Sequence, residues 1–147
     1  MLNSNKYILI DKKKISKLFK NLKSTKRIIL HKKNSPQQEM IIAQKKNYYY
    51  PVKKNTQSDQ TFTILHGKLL ILIFSKRGKL IKKILLSQNK NIICRIKKNI
   101  FHCDIAISKF SLHLETKSGV FKKNTNKFAK FKNLPMTISK ELKKKRY

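Results

Sequence analysis

The residues able to do chemistry sit late in the chain. His102, Cys103 and Asp104 are consecutive, and His113 and Glu115 are separated by one residue. His66 stands apart, just before Gly67. Imidazole, carboxylate and thiolate are the usual ligands of divalent transition metals, so these types raise a metal site first. On a strand, side chains alternate between faces, so His102 shares a face with Asp104 but not with Cys103. The same rule puts His113 and Glu115 together. A mixed site of His102, Asp104, His113 and Glu115 is one reading. The other makes His66 and His113 ordinary strand residues and Glu115 a partner for a lysine. Alternation also speaks against a His102–Cys103 nucleophilic dyad, since adjacent strand residues point apart. Tyr48, Tyr49 and Tyr50 could stack on a ring ligand, but alternation gives them a mixed core and surface role. With three glycines there is neither a phosphate-cradling P-loop nor a GxGxxG turn, and no GxSxG nucleophile elbow is present.

The composition frames these residues. The 147 residues carry 37 Lys+Arg against 6 Asp+Glu, for a net charge of +31. Only Arg27, Arg77, Arg95 and Arg146 are arginine; the rest are lysine. A dedicated nucleic-acid binder mixes in more arginine, whose fork fits phosphate and guanine. Here lysine is spread along the chain, with abundant Ile and Asn, a profile that suits an AT-rich genome. Solvated lysines are the expectation, with non-specific polyanion binding at low salt. The two cysteines, Cys94 and Cys103, make no disulfide scaffold and no CxxC zinc pair. The longest strictly apolar run, Leu69–Phe74, is far short of the ~20 residues that span a bilayer. Tyr7–Ile10 is too short for a signal-peptide core. A soluble cytoplasmic protein with reduced thiols is expected.

The elements that must position the site follow from periodicity. Ile15, Leu18, Phe19 and Leu22 form one helical stripe behind Asp11, a candidate N-cap. Short β-type segments follow at 27–31, 40–43 and 47–52, with 53–59 a polar loop. Segments 61–66 and 68–74 flank Gly67, and a turn at Gly78 leads to a return strand at 80–86. Segments 91–96, 101–108 and 110–116 complete the set. In the last, Phe110, Leu112 and Leu114 alternate with Ser111, His113 and Glu115, predicting one buried face and one polar face. Such strands with short turns predict a mostly β, antiparallel barrel or sandwich with an N-terminal amphipathic helix. The tail reads as a loop anchored by Phe121, Phe128, Phe131 and Leu134, with a short helix over 137–145 and a solvated end over 143–146.

The centre resembles the cupin superfamily, and within it the WbuC-like proteins associated with bacterial O-antigen gene clusters. Gln60 stands where the first cupin motif has its Glu, six residues before Gly67. Tyr48-Tyr49-Tyr50-Pro51 resembles the segment ahead of the family's His-x-His. Lys97-Lys98-Asn99-Ile100-Phe101-His102 resembles the second motif, Pro-x-Gly-x-x-His, with only the His kept. Lys117-Ser118-Gly119-Val120-Phe121 and Phe128-Ala129-Lys130-Phe131 resemble WbuC-like Lys-x-Gly-Pro-Tyr and Phe-Ala-x-Trp segments. The resemblance implies a cupin-type jelly roll over 1–135, with its barrel core at about 38–116 and a basic tail at 136–147.

It also implies a divalent metal ligated by His, His, Glu and His. In this chain those positions map to Val52, Lys54, Gln60 and His102. Val52 has no donor, Lys54 repels a cation, and Gln60 offers a neutral carbonyl. The expectation is therefore an eroded site with no cofactor, and a balance tilted against enzymatic activity. For His102, a relic core histidine and a surviving role both stand. Tyr49, Lys54, Gln60 and His102 are the candidate ligand pocket, suited to a small anionic or sugar ligand. By resemblance the role lies near cell-surface polysaccharide or sugar-nucleotide metabolism, with the reaction undefined and a homodimer permitted. The alternative is a non-enzymatic basic protein that binds RNA or other polyanions.

Overall fold

Asp11 caps the first helix: its Oδ1 accepts the Lys14 backbone N–H at 2.8 Å, satisfying one of the orphan donors of the first turn. Helix α1 (Lys12–Lys20) then turns Leu18 inward. The computed structural model describes residues 8–144. After α1 come β1 (Thr25–Ile29), β2 (Gln37–Lys45), β3 (Lys53–Asn55), β4 (Gln60–His66), β5 (Lys68–Phe74) and β6 (Leu80–Ser87). These are followed by β7 (Ile93–Ile96), β8 (Phe101–Ala106), β9 (Phe110–Ser118), β10 (Asn126–Phe128) and helix α2 (Leu134–Leu142).

The strands form two five-stranded antiparallel sheets, ordered β1-β2-β9-β4-β7 and β10-β3-β8-β5-β6. Apart from the β1–β2 and β5–β6 pairs, consecutive strands cross between sheets, as in a jelly roll. Gly67 makes the tight corner from β4 to β5 at φ +73°, where a Cβ would lie 2.2 Å from the Phe110 carbonyl oxygen. Only glycine fits there.

Three apolar clusters hold the layers. Between the sheets lie Phe62, Ile64, Leu69, Ile71, Leu86 and Ile96. Outside the first sheet, Ile41, Ala43 and Leu112 pack under Leu18 and Leu22. Outside the second, Leu70, Leu72, Cys103 and Ile105 pack against Ile138 of α2.

Several boundaries differ from the sequence reading. Segment 47–52 is turn and bridge rather than strand, and the strand falls on Lys53–Asn55, inside the expected loop. Asn55 explains part of this: its Oδ1 accepts the Gln57 and Ser58 N–H groups, so the polar turn starts after it. The tail contributes β10, paired with β3, as well as a helix. That helix begins at Leu134, so residue 136 lies within it, and Lys145–Tyr147 fall outside the described residues.

Candidate functional site

The inner faces of β2, β3, β4, β8 and β9 carry polar side chains, and register fixes which ones. Lys53 is the Cα partner of His102, so the two share a face. On β9, Ser111, His113, Glu115 and Lys117 share the face opposite Leu112 and Leu114, which belong to the outer cluster under α1. Gln44 lies opposite Ser111, and Gln60 opposite Lys117. All these residues except Lys53 are buried. The polar face of β9 is thus the barrel interior, not a solvent face, and α1 covers its apolar side. Both faces of that strand are buried.

The same register separates the candidate pocket. Val52 joins the outer cluster with Leu70 and Ile138, and Tyr49 packs against it. Lys54 also points outward, its Nζ 5.0 Å from the centroid of the Phe101 ring. Only Gln60 and His102 face inward. The interior pair on β3 is Lys53 and Asn55, one residue along from Val52 and Lys54. Gln60 follows Asn55 after a four-residue gap, which is the sequence distance at which a Glu follows His-x-His in the cupin pattern.

The His102 ring is held in one tautomer: its Nδ1–H donates to the Ile100 carbonyl at 2.9 Å, leaving the Nε2 lone pair directed inward without a partner among the described residues. Both Gln60 side-chain atoms and both His113 nitrogens also lack protein partners. Phe62 lies between the two histidines, with ring centroids 5.9 Å from His102 and 5.7 Å from His113. Gln44 Nε2 donates to Asp104 Oδ2 at 2.9 Å and ties the two sheets together across the core.

The electrostatics centre on Glu115. Lys117 Nζ lies 2.9 Å from its Oε1, both side chains being almost fully buried. Burial alone would raise the Glu115 pKa, but the Lys117 and Lys53 ammoniums override it and hold the carboxyl at about 2. Burial lowers the Lys53 pKa, Glu115 opposing the shift and Lys117 adding to it. Burial likewise lowers the pKa of His102 and of His113, keeping both neutral near pH 7. Cys103 is an inert core thiol whose pKa burial pushes up. His66 is exposed at the β4 end, its ring 5.3 Å from Phe19.

No family model matches the sequence, and no curated protein matches it. Solved structures do. The capsular polysaccharide assembling protein CapF from Staphylococcus aureus superposes with a TM-score of 0.62 at 14% identity, over 69% of this chain and 31% of that one. Protein SO0799 from Shewanella oneidensis gives 0.60 at 11% identity, over 70% and 72%. KdgF from Halomonas sp. gives 0.55 at 14% identity, over 67% and 83%. The fold is that of the cupins. The chain spans less than a third of CapF, and at these identities the likeness concerns the fold alone.

The cupin fold implies a metal, and the donor set tests it. Lys53 and Asn55 stand at the inward positions of the His-x-His pair, Gln60 at the carboxylate and His102 at the last histidine. Lys53 brings a positive charge. Asn55 is spent on its turn and on Asn126, whose Oδ1 accepts its Nδ2 at 3.1 Å. Gln60 is a weak neutral donor. Among the described residues, no three His, Cys, Asp or Glu side chains converge to hold a metal ion. These residues do not fit the metal. Lys53 and Lys117 are instead set against two buried carboxylates, Glu115 and Asp104, as a charge network in the interior. Neither lysine stood out in the sequence; the one available signal was the four-residue gap from Asn55 to Gln60.

Proposed function

We propose that this is a metal-independent, WbuC-like cupin-fold protein that binds a small anionic or sugar ligand. Its setting would be cell-surface polysaccharide or sugar-nucleotide metabolism in the cytoplasm, without metal chemistry of its own. One observation carries the reading: Lys53 occupies the first inward ligand position beside His102 and works with Lys117 and Glu115 as a buried charge network. A cation in that place disfavours a second cation there and offers an anionic group of a ligand a partner, in a network whose carboxylates are Glu115 and Asp104. The unpartnered polar atoms of Gln60, His102 and His113 add neutral hydrogen-bonding capacity nearby. The polysaccharide setting is supported by the sequence resemblance and by the fold shared with CapF, a capsular polysaccharide assembling protein.

Calorimetric titration with sugar phosphates and nucleotide sugars, with and without EDTA, tests the proposal. Saturable binding indifferent to EDTA is the expected result. No saturable binding across the panel would sink it. RNA binding that persists near physiological ionic strength would favour the second reading, a polyanion-binding protein, which the net charge of +31 supports.

A further inference from the structure

The inner side of the β1–β2 edge forms a cleft of about 380 Å³, lined by Arg27, Ile29, His31, Lys33, Met40 and Phe121. That volume lies within the roughly 300–1,000 Å³ of small-molecule sites. Its cations differ from the scattered surface lysines because the fold holds one of them in place. Arg27 Nε donates to the Tyr50 hydroxyl at 3.2 Å, and its guanidinium lies 4.9 Å from the Tyr50 ring centroid. Tyr50 is fixed in turn by Thr25 Oγ1 at 2.9 Å. Among the described residues the guanidinium's terminal nitrogens have no hydrogen-bond partner, a fork suited to two oxygens of a phosphate. Glu115 is the carboxylate that acts on Arg27, from the buried side.

His31 adds an oriented ring. His31 Nδ1 lies 2.8 Å from the Glu39 carbonyl oxygen and 2.9 Å from the Glu39 backbone nitrogen, which fixes the ring's position beside β2. Among the described residues, neither His31 Nε2 nor Lys33 has a polar side-chain partner, so both can face a ligand. The remaining wall is apolar and uncovered: Ile29 is 62% exposed and Phe121 56%. Phe121 is not on a loose loop, because Gln38 Nε2 donates to the Gly119 carbonyl at 2.9 Å and the Gly119 N–H to Pro36 O at 2.6 Å. An aromatic face beside phosphate donors suits the C–H face of a sugar ring.

We infer that this cleft is a binding site for a phosphorylated sugar, with Arg27, His31 and Lys33 on the phosphate and Ile29, Met40 and Phe121 against the ring. The inference rests on the anionic-ligand reading above and places the ligand at the β1–β2 edge rather than at Gln60 and His102.

Amide NMR titration with glucose 1-phosphate tests it, with inorganic phosphate and glucose as controls. Saturable shifts centred on Ile29, His31, Met40 and Phe121 are expected, with affinity at least fivefold above inorganic phosphate. Arg27→Gln and Lys33→Gln should each weaken binding about tenfold, and the distant Lys76→Gln should leave it unchanged. Lys33 is exposed, so its variant keeps the fold. Equal loss in Lys76→Gln, or linear shifts spread over the lysines, would show diffuse attraction and overturn the site. Saturable shifts centred on Gln60 and His102 would also overturn it while leaving the anionic-ligand reading intact. An absence of saturable binding would overturn the site, while the calorimetric panel decides the anionic-ligand reading separately.

Discussion

Removing the Glu115 carboxylate takes from Lys117 its buried ion-pair partner and leaves Asp104 as the interior carboxylate that acts on Lys53. Breaking a buried pair by deleting one partner costs about 3–5 kcal/mol, so Glu115→Gln should lower the urea midpoint by that equivalent. Loss below about 1 kcal/mol would mean that water screens the network. The histidines act on acid stability. Folded His102 and His113 have pKa values below the ordinary 6.5, so the unfolded chain takes up protons first as pH falls. Their contribution is complete above pH 6.5 and is lost below it, by up to about 1.4 kcal/mol per pH unit for each. Glu115, depressed from 4.5 to about 2, adds a second loss below pH 4.5. Urea midpoints should therefore drop between pH 7 and 5, and His113→Gln should flatten that slope by about half. A flat profile in the wild type would contradict the buried neutral assignment. Gln60 and His102 were readable as interior residues because they sit beside strongly patterned strands. Lys53 was not: a lysine in a stretch without apolar residues looks like loop, and alternation carries no signal there.

That missing signal explains the one-residue slip from Lys53 and Asn55 to Val52 and Lys54, and its cost is every side chain of β3 placed on the wrong face. The slip makes a prediction. Lys53→His, Asn55→His and Gln60→Glu together add three ligands beside His102 and should confer zinc binding by competition titration. The corresponding set with Val52→His and Lys54→His should confer none; equal binding by both sets would refute the register. The strands around Gly67 and Gly78 were readable from apolar runs and turn residues. The role of β9 was only half readable, since its alternation showed two faces but not that α1 covers the apolar one. At the other cover, α2 seats Ile138 in the outer cluster, and its Glu141 pairs with Lys83 of β6 at 3.2 Å. Ile138→Ala should cost about 2–4 kcal/mol in urea denaturation. A cost under 1 kcal/mol would show that α2 only rests on the sheet.

The molecule as a whole combines the cupin way of folding with an interior whose side chains do not suit a metal. Two sheets closed by helices need only apolar faces and tight corners, which this lysine-rich chain supplies while its surface charge stays solvated. Metal ligation needs specific donors at four inward positions, and those are Lys53, Asn55, Gln60 and His102. A fold therefore survives changes that a metal centre does not. Asn99 shows the same tolerance on the backbone: at φ +67° it occupies the glycine position of the second cupin motif, which asparagine adopts at modest cost. The most direct test is metal content by plasma mass spectrometry on untagged protein purified with zinc and manganese present. The same samples are followed by thermal unfolding with and without EDTA. The account predicts folded protein with far less than one metal per chain and an unfolding temperature that EDTA does not change. Near-stoichiometric metal, lost in His102→Ala and removed by EDTA with a fall in unfolding temperature, would contradict it.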